Sequence, residues 1–237
     1  IEGSMALARA ARTAGIDTLV ATPHVNARTP NDAHTIAGLV YELNARLTED
    51  HVDIEVLPGA EIAITHLAEI EPAELSRLTL GGGEWLLLEP PFTLVAPGLA
   101  SLVMSLQRQG HRVVLAHPER CPALQRDREV VRSLVAAGVL MSITAGSLIG
   151  RFGGEVRSYA LELAQEGLIH NVTSDAHDSV RRPPGLAGEM RQAGLTPLAD
   201  WLTRAVPVAV LDGGQIPPRP DRALGRPRRR RGWSLRR

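Results

Sequence analysis

The 237-residue sequence contains no lysine; all 26 of its Lys+Arg positions are arginine. That bias fits a GC-rich coding sequence and is given no functional weight. Cysteine occurs once, at Cys121, which excludes an internal disulfide framework and fits a reducing compartment. Aromatic residues make up 3% of the chain, so aliphatic side chains must fill its core. With 44% hydrophobic and 22% charged residues there is enough apolar material for a sizeable one. No apolar run approaches the roughly 20 residues that cross a bilayer. Residues 1–4, "IEGS", lack the basic, apolar and small-residue zones of a signal peptide. A soluble, cytoplasmic globular domain is expected. The phosphate loop of nucleotide-binding proteins is also missing, because "LGGGEW" at 80–85 has neither the lysine nor the spacing and is a turn.

What is present is a regular alternation of helical and strand patterns, the signature of a parallel sheet wrapped by helices. "SMALARAARTAG" carries small apolar residues at helical spacing and stops at Gly15. "DAHTIAGLVYELNARL" and the stretches near 98–109, 125–137 and 155–166 are further helices. Between them run six apolar strands: "IDTLVATPH", "IEVLPGAE", "WLLLE" at 85–89, "RVVLAHPE" at 112–119, "VLMSIT" at 139–144 and "LIHNVTSDAH" at 168–177.

Polar residues gather at one end of these strands. His24, Glu61, His117, Asp175 and His177 each follow an apolar run, which puts them at the C-terminal mouth of a parallel sheet, where active sites of α/β folds form. A lone residue of this kind is ordinarily a turn or capping residue; five from four strands call for a common explanation. Three imidazoles with two carboxylates make a mixed N/O donor set that suits divalent zinc, manganese or iron better than calcium or magnesium. Carboxylates bridge cations, and bridged cations turn a shared water into a nucleophile near neutral pH, the chemistry of phosphoester hydrolysis. Arg120, Arg181 and Arg182 stand three to five positions from a proposed ligand and offer forked donors to phosphate oxygens. Surface ion pairing is the plainer role for them, most of all for Arg181. His34, His51, His66 and His111 fall away from strand ends and are expected at the surface, and His170 stands at the start of its strand, opposite the site.

"ATPH" 21–24, "PGAEI" 58–62, "LAHPER" 115–120, "TAGSL" 144–148 with "RFG" 151–153, and "SDAH" 174–177 followed by "RRPP" together resemble the PHP (polymerase and histidinol phosphatase) superfamily. Within it the sequence is most similar to the bacterial tyrosine-protein phosphatases of the CpsB/CapC type, over residues 1 to about 195. The resemblance implies a distorted (β/α)7 barrel with up to three metal ions at its mouth, usually Mn2+, with iron or zinc as alternatives. Carried over by motif, His24, Glu61, His117, Asp175 and His177 are metal ligands, Glu61 the bridging one, and Arg120 and Arg182 hold the substrate phosphate. The implied reaction is hydrolysis of phosphotyrosine on a phosphoprotein, often the tail of a bacterial tyrosine kinase that controls capsular or exopolysaccharide synthesis. The alternatives are a PHP phosphatase for a small monoester such as histidinol phosphate, against which the close "TAGSL", "RFG" and "RPP" matches weigh, and a noncatalytic phosphate-binding module. A cysteine-dependent tyrosine phosphatase of the His-Cys-x5-Arg type is excluded, because Asp127 stands six positions after Cys121; that cysteine is a loop or packing residue.

Three expectations accompany the resemblance. Family members open on a strand ending in His-x-His followed by an acidic stretch, which this sequence does not contain. The chain is therefore expected to lack its N-terminal first strand, to have six strands rather than seven, and to hold five of about eight or nine ligands, with one metal bound weakly or not at all. Some members carry a histidine where Ala100 stands here. Unpaired sheet edges left by a missing strand would reduce stability and favour aggregation. Finally, residues 1–212 are assigned to the phosphohydrolase domain and 213–237 to a disordered Pro/Arg-rich tail. Residues 219–237 hold nine of the arginines against one acid, Asp221, and such a segment is able to contact anionic surfaces.

Overall fold

The computed structural model describes residues 1–221. In chain order the strands are β1 (Thr18–Ala21), β2 (His24–Asn26), β3 (Thr29–Pro30), β4 (Glu55–Pro58), β5 (Glu61–Ala63), β6 (Trp85–Glu89), β7 (Arg112–Ala116), β8 (Leu140–Thr144) and β9 (Asn171–Thr173). The helices are α1 (Glu2–Thr13), α2 (Ala33–Glu49), α3 (Pro72–Leu75), α4 (Leu99–Arg108), α5 (Pro122–Arg126), α6 (Arg128–Ala136), α7 (Ala145–Leu148), α8 (Gly154–Gln165), α9 (Ala187–Ala193) and α10 (Val206–Leu211). Among the described residues none is long and apolar enough to cross a membrane.

All six expected runs contain strands, but the expected count of six does not hold: two of the runs are broken, β3 is added, and the main sheet is open with seven strands. The order β3-β2-β5-β6-β7-β8-β9 makes one sheet, parallel except for the β2–β3 hairpin, and β1 pairs with β4 in a second, two-stranded one. No ladder joins β9 to β1 among the described residues, so the barrel expected from sequence is not closed here. The breaks have a local cause. Pro23 lies between β1 and β2 and has no N–H to give a ladder; Pro58, the last residue of β4, lacks one likewise, and Gly59 follows it before β5 begins. Gly59 is also required by space, because a Cβ there would stand 2.9 Å from Val20 Cγ1 on the neighbouring strand.

The helices end where their sequences direct. Asp32 caps α2 by accepting the Thr35 N–H at 2.8 Å. The turn after α1 passes through Gly15 at φ +82°, a left-handed position that favours glycine. The expected helix at 125–137 is divided into α5 and α6 because Asp127 leaves the helical conformation to cap α6 through the Glu129 N–H. Their apolar faces close on β6, β7 and β8, whose Leu86, Leu88, Val113, Leu115, Met141 and Ile143 form the centre of an aliphatic core. Burying each such side chain stabilises the fold by roughly 1.5–3 kcal/mol.

Residues 213–221, which follow the expected domain end at 212, lie along the body. Trp201 Nε1 donates to Pro217 O at 3.0 Å, and Arg112 and Arg219 donate to Gly214 O and Ala164 O, each at 3.4 Å. The arginine-rich remainder, 222–237, lies outside the described residues.

His170 is placed at the N-terminal end of β9 as expected, and it makes stability depend on pH. Its Nδ1 accepts the Met141 N–H at 3.2 Å, and burial pulls its pKa from 6.5 down to about 4. The unfolded chain takes up a proton that the folded one refuses, so stability is full above pH 6.5 and is lost as pH falls towards 4. The expected loss is up to about 3 kcal/mol. Urea unfolding at pH 7.5 and 4.5 measures it, and H170N should flatten the difference.

Candidate metal centre

The mouth of the sheet is assembled by the register of parallel strands. In β2 and β5, His24 stands directly beside Glu61, and Glu61 in turn lies beside Leu87 of β6, two residues before Glu89. His117 follows β7 directly and is hung on β8 by its N–H, which donates to Ser142 O at 2.7 Å. His24 and Glu61, the first residues of β2 and β5, Glu89, the last of β6, and His117, just past β7, therefore bring four side chains from adjacent strands into one space. His117 Nε2 is 2.7 Å from Glu61 Oε1 and 3.6 Å from Glu89 Oε1, and His24 Nδ1 is 3.4 Å from Glu61 Oε2 and 3.7 Å from Glu89 Oε2. His24, Glu61 and Glu89 each offer a ligand atom within 4.8 Å of the others.

The electrostatics of this group point to a cation. Burial pushes the Glu61 carboxyl up, but the hydrogen bond and charge of His117 outweigh it and hold Glu61 below its ordinary range. His117 shows the counterpart: burial pulls it down, and the Glu61 bond and charge carry it above its usual value. Glu89 is pushed up, by burial first and by the charge of Glu61 second. Two acids and two imidazoles thus converge in a partly dry space. His24 Nδ1 and His117 Nδ1 are buried without a hydrogen-bond partner. A divalent ion satisfies this donor set, and the N/O composition fits manganese, iron or zinc.

A second group faces it. Asp175 follows β9 and receives both arginines: Arg120 Nη1 donates to Oδ2 at 2.9 Å, and Arg182 Nη2 donates to the same oxygen. His177 is half exposed; its Nδ1 lies 3.0 Å from Asp175 O, and its N–H donates to Arg182 O at 3.1 Å. Its ring centroid is 6.3 Å from that of His24, which joins the two groups. All five residues expected as ligands, and both arginines expected at the phosphate, therefore share one region, although the Asp175 carboxylate is aimed at the arginines and not at Glu61. Arg181 is exposed, and its backbone N–H donates to Asp178, which ties the 178–182 turn.

Two of these residues hold left-handed backbone that only glycine adopts without cost: His117 at φ +31° and Asp175 at φ +49°. Each costs about 1–2 kcal/mol, and such strain collects where side chains must be aimed. Cys121 is fully buried, its Sγ donating to Pro91 O at 3.2 Å, and burial pushes its thiol pKa up. That is the opposite of an activated nucleophile.

Sequence reasoning missed two acids. Glu89 ends the apolar run "WLLLE" and carries the same signal as the other strand-end residues. Glu119, between His117 and Arg120, has no exposed surface; its Oε1 accepts the Ser147 hydroxyl at 2.6 Å and the Thr144 N–H at 3.0 Å. An acid in a turn carries no periodic signal, and only the fold brings residues 144–147 to it.

Comparison with known proteins agrees with this geometry. Residues 1–193 match the family described as "Capsular polysaccharide synthesis, CpsB/CapC". The chain is 37% identical over 176 residues to the tyrosine-protein phosphatase YwqE of Bacillus subtilis, covering 74% of this chain and 69% of that protein. It is 29% identical over 196 residues to the tyrosine-protein phosphatase CpsB of Streptococcus pneumoniae, covering 77% and 78%. Among solved structures it superposes with a TM-score of 0.76, at 30% identity and over 97% of this chain and 92% of the other, on one from a study of YwqE and CpsB as metal-dependent tyrosine phosphatases.

Proposed function

The chain belongs to the CpsB/CapC family of capsular polysaccharide synthesis proteins, and from that membership we propose that it is a metal-dependent protein-tyrosine phosphatase. The observation that carries the proposal is the convergence of His24, Glu61, Glu89 and His117 on one space, with Arg120 and Arg182 beside it. We assign His24, Glu61, His117, Asp175 and His177 as metal ligands, with Glu89 added to them, and Mn2+ as the ion. The common mouth of the parallel strands supports reading the open sheet as the distorted barrel of the PHP superfamily.

A bound cation at this mouth supplies Lewis acidity and lowers the pKa of water. The protein's own residues do the rest. The reaction adds water across the ester: a water oxygen bonds to phosphorus, the P–O bond to the ring breaks, and the phenolate leaves and regains a proton. Arg120 and Arg182 supply guanidinium forks for the non-bridging oxygens, and their shared acceptor Asp175 fixes where those forks stand before substrate arrives. The Glu61–His117 pair holds both side chains in place, so little reorganisation is needed as charge develops on the phosphoryl group. The substrate assigned by family membership is a phosphotyrosine-bearing protein, a bacterial tyrosine kinase tail being the best match to a role in capsule synthesis, and the site of action is the cytoplasm.

The test is hydrolysis of a phosphotyrosine peptide and of histidinol phosphate with Mn2+ and then with EDTA. Turnover of the peptide should fall at least about a hundredfold on chelation and return when Mn2+ is restored. Turnover of histidinol phosphate alone would move the assignment to a small-metabolite phosphatase, and binding without turnover to a phosphate-binding module.

A further inference from the structure

The chain contains only two phenylalanines, and both stand at Arg120. The guanidinium carbon is 5.1 Å from the ring centroid of Phe92 and 4.4 Å from that of Phe152, which also lies 5.7 Å from Arg182. Phe92 in addition stacks on the His117 imidazole, with ring centroids 5.5 Å apart and planes 17° from parallel. Its ring thus borders both the acid and imidazole group and the arginine at the phosphate position. Yet it is 50% exposed and takes no part in the hydrophobic core. Its position is fixed from either side instead: Pro91 O accepts from Cys121, and Thr93 O accepts the Ala123 N–H at 3.2 Å. Both anchors lie within three residues of Arg120. The apolar character continues outward in Leu94 and Val95, which are exposed.

We propose that Phe92 is the specificity-determining residue of this site, its open ring surface being the wall on which the phenyl ring of an aryl phosphate ester packs. The inference rests on the phosphatase reading and names what that reading leaves open, the selection of aryl over alkyl esters. When a phosphoryl group is held at Arg120 and Arg182, its ester substituent passes the rim where Phe92 stands. A phenyl ring gains an aromatic contact there, and an alkyl chain has no ring to place. Aromatic pairs of this kind correspond to a preference of about fivefold. A purely structural role for Phe92, as a support for His117 and Arg120, would affect all phosphate esters alike.

The experiment compares wild type, F92A and F92W, loaded with Mn2+, on a phosphotyrosine and a phosphoserine peptide of the same flanking sequence. It adds calorimetric binding of phenylphosphonate and methylphosphonate. F92A should lower the ratio of kcat/KM for phosphotyrosine over phosphoserine by about fivefold, with the change lying in KM, and F92W should restore it. The affinity ratio of phenylphosphonate over methylphosphonate should fall in parallel. Unchanged ratios, or equal losses on both members of each pair, would overturn the proposal. If wild type hydrolyses neither peptide, the phosphatase reading fails, and the two phosphonates still decide whether Phe92 selects an aryl group.

Discussion

Replacing His117 by alanine should lower Mn2+-dependent hydrolysis of a phosphotyrosine peptide by about a thousandfold, some 4 kcal/mol of barrier. The size follows from how many features of the site meet in this one side chain. Its Nε2 is 2.7 Å from Glu61 and 3.6 Å from Glu89, so it is the only base of the group in hydrogen-bond reach of the bridging candidate. Its loss leaves the buried Glu61 without its hydrogen-bonded imidazole, and Glu61 then takes up a proton more readily, which would remove a second proposed ligand from use. Groups that merely orient a metal ligand cost 10- to 100-fold when removed, and a ligand should cost more. Circular dichroism and a thermal melt will show whether the variant is folded, and calorimetric titration with Mn2+ gives a readout independent of turnover. A folded variant that keeps wild-type rate and Mn2+ affinity would remove His117 from the centre. It would also remove the reason for the left-handed backbone at residue 117.

Much of this centre was visible in the sequence because parallel strands impose a simple rule: a polar residue that ends an apolar run emerges at one edge of the sheet. His117 follows β7 and Asp175 and His177 follow β9 in this way, whereas His24 and Glu61 reach the same mouth as the first residues of β2 and β5, just past the breaks that end β1 and β4. Glu89, the last residue of β6, obeys the rule too. The limits of the rule show at Glu119, Phe92 and Phe152. Their positions depend on loop paths, and the contacts that define them join residues 28 apart in the case of Glu119 and Ser147, and 28 and 32 apart for the two rings and Arg120. No local periodicity encodes such pairings. Strand breaks were equally hidden, although their causes, Pro23 and the Pro58–Gly59 pair, were in plain view. A proline at the edge of an apolar run ends or interrupts a strand according to whether a neighbour needs its missing N–H, and that neighbour is unknown until the sheet is ordered.

Glu119→Ala should cause the largest loss of stability of any single change near the centre, about 3–5 kcal/mol, or a fall in Tm on the order of 10 °C for a chain of this size. Glu119 carries no ligand atom to the cluster. It links the strained 117–120 turn to the segment that begins α7: Ser147 Oγ and Thr144 N–H both donate to its Oε1, and its own carbonyl accepts from Gln125 Nε2 at 2.7 Å. Truncation strands a buried hydroxyl and a buried N–H, and frees the turn that carries His117 on one side and Arg120 on the other. The adjoining loop is affected as well, since Arg151 N–H bonds back to Gly146 O at 2.9 Å just ahead of Phe152. Glu119→Gln distinguishes a lost contact from a lost charge. An amide oxygen in place of Oε1 accepts both hydrogen bonds, the amide nitrogen takes the position of an oxygen that has no partner, and burial already pushes this carboxyl above its ordinary range. The glutamine variant should therefore melt within about 1.5 kcal/mol of wild type and retain most of its activity, while S147A, which removes one of the two donors, should cost about 1–2 kcal/mol. An alanine variant as stable as wild type, or a glutamine variant no better than alanine, would show that the 117–120 turn holds its strained geometry without this bond.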